Sequence, residues 1–223
     1  IRVRDVTGVQ TCALPILRAQ RLWDGGSLTA LYAPALASRP NPEGLALDVG
    51  ATNARHRALL ALSQRIGGLP PQFLMLHEEA RATRFGLNLT GLLNDATVAY
   101  LEWSGGRSPT QLADALEAVV PPCGCSTWRN RVAAGLGYTT ADKLSLTFEF
   151  QHNGAGLDGD GWSALRQGPV ALYGQYRQAV RVSQELPTRR ALFAQALWQD
   201  ALMPRLDLGL MHNLDLVDRS RRL

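Results

Sequence analysis

The stretch from Trp128 to Asn153, WRNRVAAGLGYTTADKLSLTFEFQHN, decides the fold. From Leu144 to Gln151 apolar and polar residues alternate without a break, so one face is apolar and the other carries hydroxyl, carboxylate and amide groups. The same period of two runs from Arg129 to Tyr138, and only a few residues around Ala141 join the two arms. This pattern predicts an antiparallel hairpin. Each arm has about ten to twelve residues, roughly double a usual soluble strand and enough to cross a bilayer at a tilt.

The alternation recurs on both sides of this hairpin. The further predicted strands are Ser27–Ala35, Arg57–Gln64, Gln72–Glu78, Thr83–Leu93, Ala96–Ser104, Arg189–Ala201 and Arg205–Val217. With the two arms this makes about nine strands. The fold class we predict is therefore all-β.

The connections between the strands are of two kinds. Short turns are predicted around Gly67, Asn94, Ala141 and Pro204, and longer segments lie around Thr110 and Gly161. Two long segments have a helical pattern. Pro109–Ala118 could be capped by Thr110, and Val170–Arg181 places Tyr173, Tyr176 and Val180 along one side. Short and long ends that alternate are typical of an antiparallel up-and-down meander with two unlike sides.

This pattern resembles that of the bacterial outer-membrane β-barrel proteins. The similarity covers Ser27 to Val217 and is clearest at RNRVAAGLGYTTADKLSLTFEF and RLDLGLMHNLDL. It implies an incomplete transmembrane β-barrel in the bacterial outer membrane, with short periplasmic turns and long extracellular loops that have room for short helices. Trp103, Trp128, Tyr138 and Trp198 stand near predicted strand ends, where interfacial girdles are expected.

The first residues are set apart from the fold. Val6–Ile16, VTGVQTCALPI, resembles the translation of a common sequencing-library adapter, so we treat residues 1–16 as an artefactual segment and residues 17–223 as the partial barrel domain. We expect the chain to be part of a longer gene product. No apolar run approaches the length of a transmembrane helix.

Composition excludes several other classes. Hydrophobic residues make up 46% of the chain, which excludes an intrinsically disordered protein. The net charge of +4 invites a nucleic-acid partner, but the arginines are scattered and no zinc, RNP-like or helix-turn-helix pattern accompanies them, so we predict none. Cys123 and Cys125 cannot supply a four-ligand zinc site alone, and a disulfide across Gly124 would be strained. Their oxidation state stays open.

The sequence contains no complete motif for metal binding or catalysis. His77-Glu78 begins a zinc-protease pattern, but Arg81 stands where the second histidine is needed. Asp158-Gly-Asp160-Gly suggests calcium, yet Pro169 occupies the twelfth loop position, and a polar glycine-rich loop is the preferred interpretation. No nucleophile elbow or phosphate-binding loop occurs. We therefore predict no enzyme, no metal and no cofactor.

The candidate functional residues are the polar groups that alternate with the apolar ones. The lumen-lining candidates are Arg84, Asn88, Arg129, Arg131, Glu149, Gln151, Gln195, Asp207 and Asp215. In a channel such groups set ion preference and orient polar solutes. In the competing interpretation they pair across strands and only stabilise the wall. Both interpretations remain open on the sequence.

The functional hypothesis is a porin-like or export channel that passes small polar or charged solutes, with outer-membrane lipid around it. A barrel with an assembly, secretion or partner-binding role is the first alternative, with Gly154–Leu186 as plug or binding loop. A soluble β-sandwich binding module is the second, since a sandwich strand also has one apolar face. A homo-oligomer is compatible with each of these.

Overall fold

The computed structural model of the protein describes residues 16–35, 55–116, 126–183, 185–217 and 220–222. The adapter-like residues up to Pro15, the connection Ala37–Asn53 and the pair Cys123 and Cys125 lie outside the described residues. The sequence-based predictions on these segments therefore stay predictions.

Within the described ranges, eleven antiparallel strands form one sheet whose spatial order is their order along the chain. The strands are β1 Leu17–Trp23, β2 Gly26–Ala33, β3 Arg57–Gln64, β4 Gln72–Glu78, β5 Arg84–Asn94, β6 Thr97–Ser108, β7 Thr127–Thr139, β8 Leu144–Asn153, β9 Arg190–Trp198, β10 Leu208–Asp215 and β11 Arg221–Arg222. The predicted all-β antiparallel meander is confirmed. The predicted count of nine is wrong, because β1 and the two-residue β11 were not recognised.

The two outer strands leave the sheet open. Within the described residues β1 pairs with β2 and β11 pairs with β10, and no pairing joins one outer edge to the other. The sheet is therefore not closed into a barrel in this part of the chain.

The predicted central hairpin is formed by β7 and β8. Leu136 lies opposite Phe148, and Gly135 lies opposite Glu149. Because directly opposed residues share a face, the apolar residues of both arms lie together on one side, as predicted. We call this side of the whole sheet the apolar face; across the strands it carries Leu28, Leu60, Phe73, Leu87, Leu101, Leu136, Phe148, Ala194 and Leu210. The opposite side, with Glu149, is the polar face.

The apolar face is not packed against another layer of the described structure. Phe148 is 59% exposed and Leu210 is 60% exposed. The buried hydrophobic residues of the described chain are Ala155, Leu157, Leu165, Tyr176 and Ala191. None of these lies on the apolar face, since Ala191 pairs with Gln151 and the others belong to the segment after β8. The sheet therefore has no dry core on its apolar side.

Three helices lie in the described parts of the long connections. They are α1 Gln111–Leu116, α2 Gly159–Gln167 and α3 Val170–Ser183. Their core is Leu157, Leu165 and Tyr176, surrounded by Leu112, Ala115, Trp162, Leu172 and Val180. We call residues 111–116, 154–183 and 185–187 the helical unit, since Gln111 and Tyr176 also bind Glu185, Leu186 and Pro187. Within the described residues no helix is long and apolar enough to cross a membrane.

The helix predictions were partly correct. Both predicted helices exist, and Thr110 caps α1, because its Oγ1 accepts from the Ala113 N–H at 3.2 Å. Within α3, Tyr176 is 1% exposed, whereas Tyr173 is 43% exposed with the Arg177 guanidinium 5.9 Å from its ring centre. The preferred glycine-rich loop after Asp158 was wrong, since the chain forms α2 there.

The two ends of the sheet differ, as the pattern of connections predicted. The turn end carries the connections 24–25, 65–71, 95–96, 140–143 and 199–207. The helical end carries the connection 79–83 and the described parts of the connections that follow β6 and β8, including the helical unit. The predicted short turn around Pro204 was wrong: β9 ends at Trp198 and β10 begins at Leu208, so the intervening loop is longer.

Candidate functional site: the polar face and its charged end

Eight of the nine predicted lumen residues lie on the polar face. They occupy β5, β7, β8, β9 and β10: Arg84, Asn88, Arg129, Arg131, Glu149, Gln151, Gln195 and Asp215. The ninth, Asp207, precedes β10 and belongs to the loop at the turn end, where its Oδ1 accepts from the Asp200 N–H at 3.1 Å. The assignment of Asp207 to a strand was therefore wrong.

A polar network centred on Glu149 lies in the middle of the polar face. The Tyr100 hydroxyl donates to Glu149 Oε2 at 2.5 Å, and the Gln151 amide donates to Glu149 Oε1. Tyr100 can reach across β7 because Gly135 lies between it and Glu149. A Cβ on Gly135 would collide with the Tyr100 ring and would lie 2.7 Å from the Phe148 carbonyl oxygen.

A second network joins β3, β4 and β5. The Asn88 amide donates to Gln72 Oε1 at 3.1 Å, and the Gln72 amide donates to Ser63 Oγ at 3.3 Å. The sequence left the facing of β4 ambiguous, because both of its sides are rather apolar. The register resolves it: Gln72 lies opposite both Ser63 and Asn88, so it belongs to the polar face.

The strongest charge cluster lies at the helical end, around Glu78. Its carboxylate is contacted by the guanidinium groups of four arginines, and its side chain is only 11% exposed. These arginines are Arg55 at 3.5 Å, Arg57 at 3.4 Å, Arg81 at 3.3 Å and Arg84 at 4.0 Å. A carboxylate this buried is stabilised only when it is fully paired, and the four cations from the chain around β3, β4 and β5 provide that pairing.

A second carboxylate extends the cluster to the helical unit. Glu185, two residues after α3, lies 3.1 Å from the Arg131 guanidinium and 3.9 Å from that of Arg84. The Gln111 amide donates to the same carboxylate at 3.1 Å. Arg81 also pairs with Asp114 of α1 at 3.3 Å. The helical unit is thus attached to the polar face through charged and amide groups.

The remaining polar-face residues of this end hold loops in place. Arg129 donates from Nε to the Ser108 carbonyl at 3.0 Å and from Nη1 to the Gly154 carbonyl at 2.8 Å. Asp215 accepts from the Thr188 hydroxyl at 2.8 Å. These contacts match the competing interpretation of the sequence, in which such groups stabilise the wall.

Asp158, considered above for calcium, has a structural role. Its Oδ1 caps α2 by accepting from the Gly161 N–H at 3.0 Å, and its Oδ2 pairs with Arg189 at 3.1 Å. The Gly161 hydrogen bond, followed by the charge of Arg189, lowers the pKa of the Asp158 carboxyl below its usual value. In the described part of the chain, no three histidine, cysteine or acidic side chains are grouped as a metal site would need.

The turn end has its own ion pair. Lys143 Nζ lies 2.6 Å from Asp200 Oδ2, and Asp200 Oδ1 accepts from the Arg205 N–H at 2.7 Å. The hydrogen bond between the two side chains raises the pKa of Lys143 and lowers that of Asp200. Because both groups are exposed, this pair orders the loops and contributes little stability.

Tryptophans mark both ends of the apolar face. Each indole N–H has an acceptor near a strand end: Trp23 donates to Gln64 at 2.7 Å, Trp198 to the Asp142 carbonyl at 3.1 Å, and Trp103 and Trp128 both to Asn130 at 3.2 and 3.0 Å. An indole ring with an apolar body and a hydrogen-bonded N–H suits a boundary between an apolar and an aqueous environment.

Sequence reasoning missed the residues that build the charged end. Glu78, Arg57 and Tyr100 do alternate in phase with the polar face, so the signal was present. Glu185 had no such signal, because it follows a helix and reaches the sheet only through the tertiary fold. No family model, no curated protein and no solved structure matches this chain.

Proposed function

We propose that the protein is an outer-membrane β-barrel channel of the porin-like or export type, which passes small polar or charged solutes along its polar face. The observation that carries the proposal is the exposed apolar face. Phe148, Leu210 and their neighbours line one side of the eleven-stranded meander and are covered by nothing in the described structure. A water-exposed apolar surface of this extent is unfavourable, whereas acyl chains would cover it.

The polar face supports the proposed passage of polar or charged solutes. It carries the hydrogen-bonded group around Glu149 and the arginines Arg84 and Arg131. Charged and amide side chains on the side away from lipid are typical of a water-filled barrel interior. Backbone groups at an open strand edge cost several kcal/mol each in hydrocarbon. In a bilayer the edges of β1 and of the last strands must therefore be paired, with each other or with further strands.

The soluble-sandwich alternative requires a different arrangement. In a sandwich the apolar sides of two sheets pack against each other about 10 Å apart. Here Phe148 and Leu210 lie on the same face of one sheet, on strands separated only by β9. Among the described residues there is no second sheet on which this face could be buried.

One observation favours an assembly or secretion role as a second candidate. The helical unit is attached to the polar face through Glu185 and Gln111, at the end where a solute would enter. A unit fixed at this position could serve as a plug or a partner-binding element.

Two measurements test the proposal on the full chain refolded into lipid vesicles. A folded barrel migrates differently on a gel before and after heating, and a channel gives conductance steps in a planar bilayer. Heat-dependent migration with conductance supports the channel, and heat-dependent migration without conductance favours the assembly role. A chain that shows neither and stays soluble without detergent would overturn the membrane assignment.

A further inference from the structure

The carboxylate of Glu185 occupies a position built from three cationic or amide donors. Arg131 lies 3.1 Å away, Arg84 lies 3.9 Å away, and the Gln111 amide donates at 3.1 Å. The donors come from β7, β5 and α1, so the fold brings together groups that are far apart in sequence. The side chains remain reachable from solvent, with exposures of 28% for Glu185 and Arg84 and 21% for Arg131.

The charges around this position do not balance. The ion pairs of the charged end connect five guanidinium groups to three carboxylates: Arg55, Arg57, Arg81, Arg84 and Arg131 against Glu78, Glu185 and Asp114. Two positive charges are therefore in excess within this network. An excess of arginine at close range raises the local concentration of anions.

Arg131 also has hydrogen-bonding capacity that the described structure does not use. Its Nε is buried and has no acceptor among the described residues, although its Nη2 donates to Glu185. A guanidinium normally binds a carboxylate or phosphate through two parallel hydrogen bonds. The single bond to Glu185 leaves this second donor available for an anion that approaches with two oxygens.

We propose that Arg84, Arg131 and Gln111 form a binding site for small anions with a carboxylate or phosphate group, and that Glu185 is its tethered internal occupant. A solute anion binds by displacing the Glu185 side chain, which swings out on the segment that follows α3. The relevance to transport rests on the proposed channel, but the binding itself does not. Solute carboxylates and phosphates share the chemistry that the two arginines recognise.

The test is calorimetric titration of the full chain, folded in detergent, with inorganic phosphate and with succinate in separate experiments. In Glu185→Gln the internal competitor is gone, so affinity for the preferred anion rises on the order of tenfold, as expected for loss of a tethered ligand at millimolar effective concentration. Adding Arg131→Gln to this variant abolishes binding. Glu185→Asp keeps the charge but shortens the reach, and gives an intermediate increase.

The matched control is Asp160→Asn, which removes one negative charge from an exposed position in the helical unit. It leaves phosphate and succinate affinity unchanged. Equal affinities in wild type, Glu185→Gln and Asp160→Asn would overturn the site, and so would undiminished binding after loss of Arg131. If Glu185→Gln does not fold, the anion affinity of Glu185→Asp is compared with that of the wild type, and equal affinities would overturn the site.

Selectivity separates this proposal from the channel proposal. Reversal potentials in a potassium chloride gradient shift towards anions in Glu185→Gln if the site lies on the conducting path. Absence of any current contradicts the channel and leaves the calorimetric result standing. Current without the shift, together with tighter binding, places the anion site away from the path.

Discussion

Gly135 is the residue on which the central polar network depends. It lies between Tyr100 and Glu149 on the polar face, and its missing side chain lets the tyrosine hydroxyl cross β7. Gly137, two residues further on the same face, has no atom within 4 Å of the position that a Cβ would take. The two glycines therefore allow a comparison within one strand.

We predict that Gly135→Ala lowers the free energy of unfolding by about 1–3 kcal/mol, because the added methyl group meets the Tyr100 ring and the Phe148 carbonyl. Gly137→Ala is neutral or slightly stabilising, since alanine loses less backbone entropy than glycine in a strand. Guanidinium unfolding of both variants checks this. Equal losses in the two variants would mean that Tyr100 does not cross the strand at Gly135.

Tyr176 holds the helical unit together at the residue scale. It is 1% exposed, and its hydroxyl lies 2.8 Å from the Pro187 carbonyl and 3.2 Å from Gln111 Oε1. Burial raises the pKa of this hydroxyl well above its ordinary value. The unfolded state then loses its proton first, so the stability contributed by the neutral phenol declines as the pH rises through about 10 and beyond.

We predict that Tyr176→Phe lowers the local stability of the helical unit by about 1–2 kcal/mol at neutral pH, since buried acceptors lose their donor. We also expect Tyr176→Phe to lose less stability than the wild type when the pH is raised. Hydrogen exchange of α3 amides at pH 7 and pH 10 measures both effects. An unchanged alkaline response would show that another group controls it.

Helix α2 illustrates how a local signal can be hidden in a sequence. Its first turn contains Gly159 and Gly161, residues that disfavour helix, and the motif DGDG is also found in metal-binding loops. Asp158 compensates as an N-cap, and Leu165 anchors the helix in the unit. The packing of Leu165 against Tyr176 is a tertiary contact, so no local pattern could have revealed it.

We predict that Asp158→Ala destabilises α2 by about 1 kcal/mol, whereas Asp158→Asn costs less, because asparagine caps helices about as well as aspartate. The lowered pKa of the Asp158 carboxyl determines how the stability of α2 depends on pH. The stabilisation is present above the ordinary carboxyl pKa and is lost as the pH falls through the lower folded value. Limited proteolysis at pH 7 and pH 3 reads this out, and an acid response that persists in Asp158→Asn would contradict it.

The strands were far more predictable than their ends. A period of two identified the faces of β5 to β10, since one apolar side imposes the register of each strand. Alternation alone places Leu136 and Phe148 on one face, and Leu192 and Leu214 on that same face. The limits of β9 and β10 did not follow, because Asp200 and Asp207 bind loop N–H groups instead of continuing the ladder.

The candidate site was predictable in its strands and not in its loops. Arg84, Arg131 and Glu149 lie on the polar face where alternation places them. Which of them act together depends on Glu185 and Gln111, which reach the site from the helical unit. A contact made by a residue between a helix and a strand has no period, so only the tertiary structure shows it.

At the scale of the whole molecule, the contrast between the two faces determines whether water or lipid is the favourable environment for the sheet. The buried hydrophobic residues of the described chain lie in the helical unit and at Ala191, while many large apolar side chains of the sheet are exposed. If the molecule were soluble, charge on the apolar face would be harmless or would improve solubility. If lipid covers that face, the same charge is strongly destabilising.

Adjacent residues of β8 separate these two cases. Phe148 lies on the apolar face, opposite Leu136, and Thr147 lies on the polar face, opposite Gly137. We predict that Phe148→Arg destabilises the chain folded in vesicles by about 2–4 kcal/mol, as for charge at the bilayer midplane. Thr147→Arg has a much smaller effect, because it adds a charge to the polar face opposite Gly137, which has open space around its Cβ position. Urea titration of folding into vesicles measures the difference.

Equal effects, or a Phe148→Arg variant that folds better without lipid, would contradict the membrane assignment. The comparison is sharp because strand, neighbours and added group are shared, and only the face changes.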